Sequence, residues 1–173
     1  MDIRPHRRIA VEIAGDDLMG MINFISDNFE HFGLVIFNTD TLNEHGWFLL
    51  DTAKNCGLKT AVRGDFPTTV SSDILDKIDF IITNTLLPQY RSDQQLLTTT
   101  DSGDAAGLAC GGKDLSNLRD DNPAAVLLVM DEVLSPEKVM KIGVDFFVYN
   151  QLLTAKNPVK EARDLADRIR KYT

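Results

Sequence analysis

Six short runs of apolar residues recur along the chain, and each ends at a cluster of polar residues. Segments with the helical spacing of apolar residues separate these runs. Such an alternation is typical of a parallel sheet whose two faces are covered by helices. The candidate strands span residues 8–14, 34–37, 58–62, 79–83, 124–130 and 145–149, and the candidate helices span residues 17–29, 42–55, 69–77, 135–142 and 158–171. We therefore predict an α/β fold with a central parallel sheet.

Composition excludes several classes of function. Eighteen basic residues against 26 acidic ones give a formal net charge of −8, which repels a phosphate backbone, so nucleic acid is not expected as a partner. No apolar run approaches the roughly 20 residues that span a bilayer, and the first residues lack the apolar segment of a signal peptide. The two cysteines, Cys56 and Cys110, have no metal-binding spacing. We expect a cytoplasmic protein with no membrane contact, no metal and no cofactor.

One stretch breaks the strand–helix pattern. Residues 94–122 are rich in Thr, Ser, Asp and Gly, which favour turns over regular elements. We predict a single short helix around residues 94–98, followed by an exposed insertion at about residues 99–121. The whole chain has 173 residues, so one compact domain with an appendage is expected.

Polar residues follow the predicted strands. In parallel sheets the functional crevice lies beyond the carboxyl ends of the strands, so these residues decide the chemistry. They are Asn38, Thr39, Asp40, Arg63, Gly64, Asp65, Asn84, Met130, Asp131 and Asn150.

Three blocks, at residues 34–40, 79–88 and 143–150, resemble the receiver domains of two-component response regulators (CheY-like). They are similar to a receiver's first strand with its acidic pair, its third strand with the phosphoacceptor, and its last strand with the lysine. The separation of Asn38 from Asn84 is close to the family's. The matching positions are Asn38 and Thr39 for the acidic pair, Asn84 for the phosphoacceptor, Met130 for the switch Ser/Thr, and Asn150 for the lysine.

The resemblance implies a doubly wound parallel sheet, a flavodoxin-like three-layer sandwich, in which the phosphorylation site is degenerate. Phosphoryl transfer to a carboxylate needs an oxygen nucleophile, which the amide of Asn84 does not provide. Asp40 and Asp131 are the acids that remain near the pocket. The implied function is that of a non-phosphorylatable pseudo-receiver, not an enzyme, which acts as a protein-interaction or regulatory module in signalling. Its protein partner would be a sensor kinase or another signalling domain.

The resemblance also divides the chain. Residues 33–173 form the receiver-like domain, and residues 1–32 form an N-terminal βα extension packed on the same sheet. A register that begins at Arg8 would use Asp16 and Asp17 as the acidic pair, but these lie too far from Asn84 for the family's spacing.

A second hypothesis comes from another class of protein. The strand-end crevice could belong to a small-ligand-binding or enzymatic α/β domain, similar to methylglyoxal synthase, in which polar side chains bind the ligand. Asp40 and Asp65 could then act as a carboxylate pair, although each is also a suitable turn or helix cap. The polar groups of this hypothesis are Asn38, Asp40, Asp65, Asn84, Asp131 and Asn150.

Other motifs carry weaker signals. Residues 107–114 nearly match a phosphate-binding P-loop, but Asp114 occupies the Ser/Thr position and no strand is predicted before the motif. His6, His31 and His45 are scattered singly, as surface or capping residues are. Trp47 lies in a run of bulky residues that cannot all face the core, so it could mark a partner surface.

Overall fold

Eight parallel strands form a closed barrel. The structure is a computed structural model and describes residues 4–99, 103–111, 115–130 and 134–172. Each strand pairs with the next one along the chain, and the last pairs with the first. The strands are β1 (Ile9–Ile13), β2 (Leu34–Asn38), β3 (Lys59–Arg63), β4 (Phe80–Thr83), β5 (Gln95–Leu97), β6 (Gly107–Cys110), β7 (Val126–Val129) and β8 (Phe146–Val148). This is the topology of a TIM barrel.

Helices connect most of the strands on the outside of the barrel. They are α1 (Leu18–Asn28), α2 (Thr39–His45), α3 (Leu49–Asn55), α4 (Ser72–Leu75), α5 (Leu118–Asp121), α6 (Pro136–Ile142), α7 (Gln151–Thr154) and α8 (Pro158–Ile169). Short 3-10 turns span Pro5–Arg8, Phe29–His31, Ser92–Gln94, Leu115–Asn117 and Arg170–Tyr172. Between β4 and β5 the regular element is a single 3-10 turn, so no α-helix of the described residues covers this side of the barrel.

Local sequence signals explain where several helices begin and end. At the start of α6 the side chain of Ser135 accepts a hydrogen bond from the backbone of Lys138, and Pro136 occupies the first helical position. The helix predicted over residues 42–55 is two helices, because Gly46 adopts a φ of 116° and ends α2.

Two apolar clusters make up the core. One fills the barrel interior and consists of Ala10, Leu34, Ile36, Ala61, Phe80, Ile82, Leu96, Ala109, Leu128 and Val148. The other lies between the barrel and the helices and includes Val35, Phe37, Ile25 and Leu165. Successive side chains of a strand alternate between the two clusters, which explains why the strands are apolar at nearly every position.

The predicted doubly wound, flavodoxin-like or CheY-like sandwich is therefore wrong. All six predicted strands exist, but β5 and β6 were missed, and their addition lets the sheet close on itself. The predicted helix at residues 94–98 is wrong, because residues 95–97 form β5. Residues 99–121 contribute β6 and α5, with Leu108 and Leu118 buried. Residues 9–28 supply β1 and α1 to the same barrel.

Among the residues that the structure describes, no helix is both long and apolar enough to cross a bilayer.

Candidate functional site

The carboxyl ends of the strands meet at one end of the barrel, which we call the mouth. Proteins of this fold carry their active sites there. Side chains alternate along a strand, so the residues two positions beyond the inward-facing core residues also point toward the barrel axis. By this rule the residues that line the mouth are Glu12, Asn38, Arg63, Asn84, Thr98, Gly111, Met130 and Asn150.

An ion pair lies at the mouth. Arg63 Nε is 2.9 Å from Glu12 Oε1, and the pair reaches from β3 to β1 across the end of β2. The Glu12 side chain is only 19% exposed and that of Arg63 is 42% exposed. Because a partly buried carboxylate needs a compensating partner, Arg63 stabilises Glu12 inside the mouth. The pair places a negative and a positive group side by side at the mouth.

Asn150 links the last strand to the first. Its Oδ1 accepts a hydrogen bond of 2.9 Å from the backbone N–H of Glu12. Next to it, the backbone N–H of Tyr149 donates to Ala10 O at 2.8 Å. These two bonds fix the backbone that carries Glu12, so Asn150 helps to orient the carboxylate.

The neighbouring Tyr149 holds the outer helices in place. Its hydroxyl donates to Glu161 Oε1 of α8 at 2.6 Å and also contacts Gln151 Oε1 at 3.0 Å. Burial, followed by the hydrogen bond to the Glu161 carboxylate, raises the pKa of Tyr149 to about 12. The phenol therefore stays protonated at neutral pH and acts as a hydrogen-bond donor that anchors α8 beside the mouth.

Asn38 and Gly64 shape the mouth beside Arg63. Asn38 Oδ1 accepts from the backbone N–H of Asp40 at 2.9 Å and so caps α2. Gly64 has a φ of 114°, and a Cβ atom there would overlap the Oγ1 of the buried Thr39. Only glycine fits this position, and the chain turns away directly after Arg63.

A cleft of about 370 Å³ opens next to the loop that follows β1. Gly15, Asp16 and Asp17 line one side, and Leu153 of α7 lines the other. His45 Nε2 lies 2.9 Å from Gly15 O and so connects the end of α2 to this loop.

The predicted site residues occupy different places around this end of the barrel. Asn38, Asn84, Met130 and Asn150 follow or end β2, β4, β7 and β8 and belong to the mouth. Thr39 is buried beneath it, Asp40 and Asp65 are exposed, and Asp131 lies outside the described residues.

Sequence reasoning missed the role of two residues. Arg63 was named as a strand-end residue without a function, and Glu12 was overlooked. A signal was present, because Glu12 is the one charged residue among the otherwise apolar residues 9–14 and lies two positions after Ala10. Of the P-loop-like motif, residues 107–110 form β6, while Lys113 and Asp114 lie outside the described residues. The described residues contain no cluster of three or more His, Cys, Asp or Glu side chains that could hold a metal ion.

No protein-family model and no curated protein sequence matches the chain, whereas many solved structures share its fold. Orotidine 5'-phosphate decarboxylase from Pyrococcus horikoshii OT3 aligns with a TM-score of 0.71 and 13% identity, over 94% of this chain and 99% of that one. KGPDC from Streptococcus mutans in complex with D-R5P aligns with a TM-score of 0.72 and 14% identity, over 95% and 97%. Orotidine 5'-monophosphate decarboxylase from Methanocaldococcus jannaschii, complexed with the inhibitor BMP, aligns with a TM-score of 0.67 and 12% identity, over 95% and 99%. At this level of identity the similarity establishes the barrel fold.

The comparison overturns the receiver interpretation. The structural neighbours are barrel enzymes, not receivers, so the assignment to the receiver superfamily and the pseudo-receiver function are wrong. The prediction that the chain is not an enzyme is wrong on the same finding. The enzymatic alternative is favoured, though not its similarity to methylglyoxal synthase. The error has a physical cause: polar residues follow the strands in both folds, and matching asparagines at three strand ends does not distinguish an open sheet from a closed one.

Proposed function

We propose that this protein is an enzyme that acts on a small phosphorylated metabolite at the mouth of the barrel. The observation that carries the proposal is the Glu12–Arg63 pair, a carboxylate and a guanidinium 2.9 Å apart at the end where barrel enzymes bind their substrates. The structural neighbours support the substrate class, because one is named for orotidine 5'-phosphate and another was solved with D-R5P.

Arg63 is the proposed anion-binding group. A guanidinium has five N–H donors in a planar fork, which matches two oxygens of a phosphate or carboxylate. Glu12 engages Nε, so the terminal NH₂ groups are the donors proposed to bind the ligand. A single arginine suits a small ligand, since the net charge of −8 disfavours a long polyanion.

Glu12 is the proposed proton acceptor and donor. Its carboxylate adjoins the group that would bind the substrate anion, and the hydrogen bond from its backbone to Asn150 fixes its orientation. A carboxylate within hydrogen-bond reach of a bound substrate can remove a proton from it and return one.

The amides around the mouth would bind the hydroxyl groups of the substrate. The cap of α2 uses Oδ1 of Asn38, and the Nδ2 group of the same amide is a donor that this cap does not use. Asn84 is exposed at the end of β4. A small number of precisely directed polar groups in a concave site is typical of sites for small metabolites.

We also propose a cytoplasmic location, since Cys56 and Cys110 are both free thiols.

The test is a thermal-shift and calorimetric screen with pentose 5-phosphates and nucleoside 5'-monophosphates. A ligand at 100 times its Kd stabilises the folded state by about 2.7 kcal/mol. We expect Arg63→Gln to abolish this stabilisation. The matched control is Arg91→Gln, since Arg91 forms only an exposed pair with Asp93 and should leave ligand binding unchanged. Equal ligand stabilisation in the two variants would refute the assigned role of Arg63.

A second measurement separates binding from proton transfer. Glu12→Gln keeps the shape of the side chain and removes its basicity, so the variant should still bind the ligand. It should lose any exchange of substrate C–H protons with deuterated solvent, followed by ¹H NMR. The double variant Glu12→Gln/Arg63→Gln controls for stability, because it leaves no unpaired charge in the mouth. Exchange that continues at the wild-type rate in Glu12→Gln would contradict the assigned role of Glu12.

A further inference from the structure

A second cavity lies at the amino end of the barrel, opposite the mouth. Its volume is about 490 Å³, within the range of about 300–1,000 Å³ that is usual for small-molecule sites. The cavity is formed by the first residues of four strands together with residues just before strands. Its lining includes Arg7, Lys59, Phe80, Val126, Asp145 and Phe146.

The inner wall of this cavity is aromatic. Phe80 and Phe146 face the barrel axis with their ring centroids 6.1 Å apart and their planes at 61°. Gly33 and Gly57 lie at the rim and add no side chains. The rim is tight at Gly33, because a Cβ atom there would overlap Arg7 O. Because two phenylalanine rings form the inner wall, the cavity suits a flat aromatic ligand, whose ring can pack edge-to-face or offset-stacked against them.

The charges at the rim favour an anion. Lys59 Nζ lies 5.5 Å from the centroid of the Phe80 ring, so an ammonium group is directly beside the aromatic wall. Arg7 also lines the cavity. The one carboxylate there, Asp145, is already engaged: its Oδ2 accepts from Arg119 at 2.8 Å and from the backbone N–H of Leu127 at 2.9 Å. Two basic residues therefore line the cavity in a protein whose net charge is −8.

We propose that this cavity is a binding site for an aromatic carboxylate of about two fused rings. The rings pack against Phe80 and Phe146, and the carboxylate lies between Lys59 and Arg7. Charged hydrogen bonds to an ammonium and a guanidinium give the site its selectivity for the ionised form. The site is separate from the mouth and does not depend on the activity proposed there.

The probe is 2-naphthoate, titrated into the full chain by isothermal calorimetry, with 2-naphthylmethanol as the neutral analogue. We expect saturable binding of the carboxylate, and binding about tenfold weaker for the neutral analogue, for Lys59→Gln and for Arg7→Gln, because each loses one charge-assisted bond. The matched control is Lys160→Gln on α8, an exposed lysine that should leave the affinity unchanged. Equal affinities of Lys59→Gln and Lys160→Gln, equal affinities of the two compounds, or no saturable binding would each overturn the proposal.

A spectroscopic measurement on the wild-type protein avoids any effect of substitution on folding. In ¹H–¹⁵N NMR spectra, 2-naphthoate should shift the backbone amides of Gly33 and Gly57 at the rim. The amides of Gly15 and Gly64, near the mouth, should stay in place. The opposite pattern would assign the compound to the mouth and overturn the proposed site.

Discussion

Gln95 holds the segment between β4 and β5 together, and its replacement tests whether the barrel closes as described. The side chain is 1% exposed. Its Oε1 accepts from Leu87 N at 2.7 Å, and its Nε2 donates to Leu87 O and to Tyr90 O, each at 3.0 Å. At about 1 kcal/mol net for each of these bonds, the side chain contributes about 3 kcal/mol. Gln95→Ala also leaves a cavity, so we expect it to lower the free energy of unfolding by about 3–4 kcal/mol.

The assay is urea denaturation at equilibrium, followed by circular dichroism. The matched control is Gln89→Ala, because Gln89 is exposed on the same segment and its replacement should change the free energy of unfolding by less than about 0.5 kcal/mol. If both variants unfold with the same free energy, Gln95 is not buried in this segment. Residues 95–97 would then not form a strand of the barrel.

Two further substitutions test the packing of the barrel and its outer helices. Gly107→Ala should cost about 1–3 kcal/mol in thermal unfolding, because the new Cβ would overlap Val126 O in the neighbouring strand; an unchanged Tm would contradict the pairing of β6 with β7. For Tyr149, the pKa of about 12 in the folded state exceeds the ordinary value of 10.0, so the phenol stays protonated to a higher pH in the folded chain than in the unfolded chain. The free energy of unfolding should therefore fall as the pH rises from about 10 to about 12, by up to about 1.4 kcal/mol per pH unit. Tyr149→Phe should remove this part of the pH dependence in urea titrations, and an identical slope in both proteins would show that Tyr149 does not cause it.

The sequence predicted the strands whose residues have strong β propensity. Leu34–Asn38 and Val126–Val129 are almost wholly β-branched or large apolar residues, and such runs indicate buried strands. Residues 95–97 and 107–110 lack β-branched residues, lie between turn-forming polar residues, and are held in the barrel by long-range contacts. Local propensity could not find them. Without these two strands the predicted sheet has six strands and is open, whereas the eight strands of the structure close into a barrel.

The polar residues at the strand ends could be located without the correct fold. Asn38, Asn84 and Asn150 were singled out because they follow strands, and this rule holds for open and closed parallel sheets alike. The direction of the Glu12 side chain could not be predicted from sequence. It depends on the register of β1 and on the alternation of side chains within the closed barrel. Two expectations remain predictions: that the chain has a protein partner, and that it does not bind nucleic acid.

The bond between Asn150 and the backbone of Glu12 joins the first strand of the barrel to the segment after the last. A contact between residues so distant in sequence closes a long loop and therefore costs more chain entropy than a local contact. The carboxylate of Glu12 thus receives its final orientation only when the ring is complete. A partly synthesised or partly folded chain would lack this bond to the backbone of Glu12, so the proposed site is complete only in the closed barrel.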